Sequence, residues 1–94
     1  MSTLDVSRAH TLGLNGARRA ANAVADRLRS EFRATAAWDG DVLRVSARGV
    51  KGEIAVSESL VRVTARLGLA ARPFRNLLRR EIEQQLNRSL SQPA

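Results

Sequence analysis

Asp39-Gly40-Asp41, Gly49-Val50-Lys51-Gly52 and Ser57-Glu58-Ser59 are three turn signals within about twenty residues. Around them run alternating segments, at residues 42–48, 53–56 and 60–69. Asp-Gly between two strands suits the positive φ of a hairpin turn. In the first segment Leu43, Val45 and Ala47 share one face, and Arg44, Ser46 and Arg48 the other. Ile54 and Val56 continue the apolar face. Val61, Val63, Ala65, Leu67 and Leu69 then alternate with Arg62, Thr64 and Arg66. The period of two predicts an antiparallel meander with one apolar and one Arg-bearing face.

Outward from this core, residues 35–38 form a short strand leading into the Asp-Gly turn. Residues 3–8 form another strand, with Leu4 and Val6 on one side. Between them, residues 14–33 have a helical period. Leu14, Ala17, Ala21, Val24, Ala25, Leu28 and Phe32 fall within an arc of roughly 100°. Pro73 opens a second helix, where a missing N–H costs nothing. Its apolar stripe is Phe74, Leu77, Leu78, Ile82 and Leu86, with Leu90 near the end. The order β-α-β-β-β-β-α predicts a two-layer α+β domain, its meander covered on one face by two amphipathic helices. If the first strand pairs beside the last, the sheet has five strands. A curved sheet holding a C-terminal helix is a small relative of the helix-grip arrangement, by analogy alone. Residues 1–94 are expected to form one domain, with a frayed tail at 91–94.

Composition bounds function. Apolar residues make up 44% of the 94 residues, but fifteen are Ala, so the core rests on twelve Leu and eight Val. No Cys is present, which excludes disulfides and thiolate metal sites. The N-terminus lacks a signal-peptide pattern and no apolar run approaches a bilayer span, so a cytoplasmic location is expected. Sixteen basic residues against nine acidic ones give a net charge of +7, and fifteen of the sixteen are Arg.

Few residues suggest chemistry. His10, the one histidine, has no nucleophile or carboxylate at a catalytic spacing. Asp39 and Asp41 suit the turn they flank, with no further ligand at metal spacing. No metal or cofactor is expected, and no enzymatic activity. Arg72, Arg75 and Arg79 share a face at the start of the second helix, where positive charge opposes the macrodipole and an anion would relieve it. With Arg44, Arg62 and Arg66 on the sheet they form the candidate anion- or partner-binding set. Glu81 lies inside the apolar arc of the second helix, and Gln85 shares it. With Trp38 these two are the candidate lining of a ligand pocket, where Glu81 or Arg75 would meet a polar end. Arg18, Arg19, Arg29 and Arg33 extend the cationic surface to the first helix, which suits sequence-independent contact with nucleic acid. The stacking aromatics of single-strand binders are missing.

The same residues carry a resemblance. His10-Thr11-Leu12-Gly13 with Ala17-Arg18, Trp38-Asp39-Gly40-Asp41 with Leu43-Arg44, and Gly49-Val50-Lys51-Gly52 with Ile54 follow one another in order. Val61, Val63, Leu67-Gly68-Leu69, Arg72-Pro73-Phe74, Glu81-Ile82-Glu83 and Leu86 complete the series. In order and spacing the chain resembles the bacterial family of putative polyhydroxyalkanoic acid system proteins. The resemblance implies a role in polyhydroxyalkanoate storage, granule-associated or regulatory, and no catalytic residues. Ala70-Ala71 stands where bulkier apolar residues are common in that family, which argues against a large preformed pocket.

These readings converge on a non-enzymatic accessory protein acting through its Arg-rich surface on a granule coat or an acidic partner. The alternatives are a carrier of a small acyl ligand between the sheet and the C-terminal helix, and a nonspecific nucleic-acid binder.

Overall fold

The computed structural model describes residues 2–91. The predicted tail therefore lies, but for Ser91, outside the described residues. The elements in order are β1 (Ser2–Ala9), α1 (Gly13–Phe32), β2 (Thr35–Asp39), β3 (Val42–Ala47), β4 (Val50–Val56), β5 (Leu60–Leu67), a 3₁₀ turn (Arg72–Phe74) and α2 (Arg75–Leu90). The strands form one antiparallel sheet in the order β1-β5-β4-β3-β2. This is the α+β meander expected, with β1 closing beside β5.

Alternation decides which face is covered. Leu4, Val6, Leu43, Val45, Ile54, Val56, Val61, Val63 and Leu67 all point to one side and are buried there. Both helices lie on that side. The sheet contacts of α1 run from β2 through β5, whereas α2 packs against α1 and the edge strand β1. The Ala-rich face of α1, buried at Ala17, Ala20, Ala21 and Ala25, has no bulk to hold it off its neighbours. Gly16 serves the same end. A Cβ there would lie 2.3 Å from Leu12 Cβ, so only glycine lets Leu12 fold back on the first turn.

Three boundaries differ from the pattern reading. The second turn is a two-residue hairpin loop, Arg48-Gly49, with Gly49 at φ 76. Val50 to Gly52 therefore belong to β4, and Lys51 becomes a strand residue. The alternating strand ends at Leu67, and Leu69 lies in the following loop, 80% exposed. The stripe of α2 is narrower than expected. Leu78, Ile82 and Leu86 are buried, but Phe74 is 53% and Leu77 43% exposed.

Candidate anion-binding face

The uncovered side of the sheet is a broad trough of about 780 Å³. Strand register sets its side chains in rows. In one row Asp5 is opposite Thr64, Thr64 opposite Glu53, and Glu53 opposite Arg44. Both acids on it are consumed. Arg44 donates to Glu53 Oε1 at 2.8 Å and to Asp39 Oδ2 at 3.4 Å. Arg62, from the next row, donates to both Asp5 carboxylate oxygens, at 2.6 and 3.1 Å. That hydrogen bond holds the Asp5 carboxyl below the usual range.

The neighbouring row has no acid. Thr3 is opposite Arg66, Arg66 opposite Lys51, Lys51 opposite Ser46, and Ser46 opposite Thr35. Lys51 and Arg66 are exposed, and neither has a carboxylate within ion-pair distance among the described residues. Like charges directly opposite on a sheet destabilise it. Hydroxyls at Thr3, Ser46 and Thr35 extend the row. Paired cations flanked by hydroxyl donors have the chemistry of an anion site.

This imbalance belongs to the whole molecule. Eight of the nine carboxylates form ion pairs among the described residues, Glu58 being the exception, and seven of the sixteen basic residues hold them. Nine cations remain, among them Arg48, Lys51, Arg66 and Arg72. These four surround the end of the sheet that carries the Arg48-Gly49 loop. The 3₁₀ turn is anchored there through Gly68 N–H donating to Gly49 O, 2.8 Å, and Arg72 N–H to Gly68 O, 3.1 Å.

Of the six cations singled out in the sequence, only the Arg66 and Arg72 side chains have no partner among the described residues. Arg75 donates to the Thr3 carbonyl at 3.1 and 3.3 Å, and Arg79 to Glu83 at 3.1 Å. The helix trio does not converge, because Arg75 and Arg79 reach to different elements. Lys51 was missed when Gly49 to Gly52 were read as one turn. Counting back by two from Val56 and Ile54 would have placed it outward on a strand.

Glu81, Gln85 and Trp38 are each tied to a separate partner. Glu81 Oε2 accepts from Arg27 Nε at 2.8 Å, across to α1, which lowers its pKa. Gln85 donates to Ser89 Oγ at 3.2 Å on its own helix. Trp38 Nε1 donates to Asn22 Oδ1 at 3.0 Å, and the Arg18 guanidinium stacks 4.4 Å from its ring centroid. Arg18 also holds Asp41, at 2.7 Å, and Gly40 O, at 2.9 Å. Trp38 thus clamps α1 to the first hairpin. Asp39 and Asp41 serve as ion-pair partners at their turn. His10 Nδ1 accepts from Leu12 N–H at 3.1 Å, and its Nε2 is buried with no hydrogen-bond partner among the described residues. Among the described residues no three His, Cys, Asp or Glu side chains gather as metal ligands.

A second concavity, about 250 Å³ in volume, opens at the Arg48 end. The end of α1 (Leu28, Phe32), the sheet (Ala47, Val50, Leu67) and the 3₁₀ turn with its approach (Ala71, Phe74) wall it. Arg48 is its one charged lining residue. Sequence reading missed it because Phe74 was assigned to the core.

Fold and site together define a two-layer α+β protein with one open, cation-bearing sheet face. Among the described residues no helix is long and apolar enough to cross a membrane. The chain belongs to the family described as putative polyhydroxyalkanoic acid system protein, whose profile matches residues 4–90. Membership links it to the polyhydroxyalkanoate system. No curated protein and no solved structure matches the chain.

Proposed function

We propose that this protein is a binding accessory of polyhydroxyalkanoate storage, docking on the anionic coat of the storage granule through its open sheet face. One observation carries the reading. Among the described residues, Lys51 and Arg66 face each other across β4 and β5 with no carboxylate within ion-pair distance, and eight of the nine acidic side chains are already paired. An anionic surface relieves that repulsion and exchanges counterions for fixed partners. A binding role rather than a catalytic one is supported by His10, whose Nδ1 is occupied and whose Nε2 is buried.

The test is co-sedimentation of labelled protein with isolated granules. Binding is expected at about 50 mM salt and is expected to fall as the screening length shortens toward ~8 Å near 150 mM. The Lys51→Gln/Arg66→Gln variant is expected to bind on the order of tenfold more weakly. Arg19→Gln/Arg80→Gln removes the same net charge from the helices. An equal loss in that variant, or no binding by the native chain at low salt, would overturn the proposal.

A further inference from the structure

We infer that the apolar groove at the Arg48 end is a binding site for a single-chain acyl carboxylate. Its hydrocarbon would lie against Phe32, Ala71 and Phe74, and its carboxylate on the Arg48 guanidinium. This site lies apart from the sheet face of the docking proposal and does not depend on it.

The walls come from three elements that do not close on one another. Where α1, the sheet and the 3₁₀ turn meet, Ala47, Ala70 and Ala71 supply only methyl groups. A bulkier residue at any of them would fill the space. Phe74 lies on the rim with half its surface in water, at the end of the 3₁₀ turn that leads into α2. The lining is hydrocarbon except at Arg48, which has no carboxylate within ion-pair distance among the described residues. The nearest residues of the 3₁₀ turn add a second cation, Arg72, and no acid. A cationic ligand is repelled there, and a neutral alkane makes no use of the exposed guanidinium. An anion with an apolar tail satisfies both.

Volume sets the length. At about 250 Å³ the groove falls just below the ~300–1,000 Å³ of pockets that hold drug-sized ligands. That matches one medium-length chain and is too small for the two chains of a phospholipid. A bidentate guanidinium–carboxylate contact fixes which end of the chain stays at the mouth.

The probes are octanoate, butanoate and 1-octanol, followed by calorimetry and by backbone amide shifts of the whole chain. Trp38 is clamped at the opposite hairpin and is no reporter. Octanoate is expected to saturate, with shifts confined to residues 28–34, 45–50 and 67–78. At about fourfold per methylene, butanoate is expected to bind roughly two orders of magnitude more weakly. Arg48→Gln is expected to weaken octanoate about tenfold and leave octanol unchanged. Ala70→Phe, at an exposed position, is expected to close the groove to both while the fold persists. Lys51→Gln/Arg66→Gln is expected to bind octanoate normally, which separates this site from the docking face. Absence of saturation, shifts elsewhere, or an Arg48→Gln variant that binds octanoate like the native chain would overturn the inference. So would a dimer burying Phe74 that octanoate does not dissociate.

Discussion

Glu81 shows what a single residue owes to its distant partner. Its place inside the apolar arc of α2 was legible in the sequence. Its role was not, because the Arg27 that neutralises it lies on the other helix, fifty-four positions earlier. The Arg27 hydrogen bond holds the Glu81 carboxyl below its ordinary value, and Arg62 does the same for Asp5. A depressed carboxyl binds fewer protons folded than unfolded. Its stabilisation is therefore complete above the ordinary carboxylate range and is lost as pH falls through the depressed value. Both pairs are solvent-screened, so the effect is small. Melting curves collected from about pH 6 down to about pH 3 test this. Glu81→Gln is expected to melt below the native protein near neutrality, and the two are expected to converge at the acid end. Parallel curves would mean that the Arg27–Glu81 pair contributes nothing to stability.

At the scale of elements, strands were easier to read than the second helix. Alternation of Val61, Val63, Ala65 and Leu67 leaves one phase, and that phase is the one observed. A helical period of 100° per residue, begun at Pro73, puts Phe74 and Leu77 on one stripe with Leu78, Ile82 and Leu86. Phe74, however, belongs to a 3₁₀ turn, where the step is ~120° and the phase is lost. Leu77 sits at the edge of the stripe. The consequence is a sharp contrast between two leucines of one helix. Leu86 is fully buried, and Leu86→Ala is expected to cost about 2–5 kcal/mol. Leu77→Ala, at a position 43% exposed, is expected to change stability by about 0.5–1 kcal/mol. Urea midpoints at a shared m-value measure both. Equal losses would mean that α2 is rotated so that Leu77 and Leu86 are equally buried.

For the whole molecule, net charge was plain from composition, but which cations stay unneutralised depends on strand register. A one-residue slip would turn Lys51 inward and separate it from Arg66. In the observed register these two residues meet, and their repulsion costs about 0.2–1 kcal/mol. Lys51→Glu would convert the repulsion to attraction and is expected to raise stability by about 0.5–1 kcal/mol, a few degrees in Tm. The same change would remove the anion site. Phosphate at matched ionic strength is expected to raise the Tm of the native protein more than chloride does. Part of that rise is the general exclusion of phosphate from protein surfaces, which every variant shares. The remainder is site binding to the folded state, which grows with phosphate concentration as the site fills. In Lys51→Glu only the general part should persist, and granule co-sedimentation should fall with it. A more stable protein that docks less well is the combined outcome expected of cations held opposite each other for a partner. If Lys51→Glu lowers stability, or keeps the full phosphate response, the row through Thr3, Arg66, Lys51, Ser46 and Thr35 is a solvated surface and docking must rest on other cations.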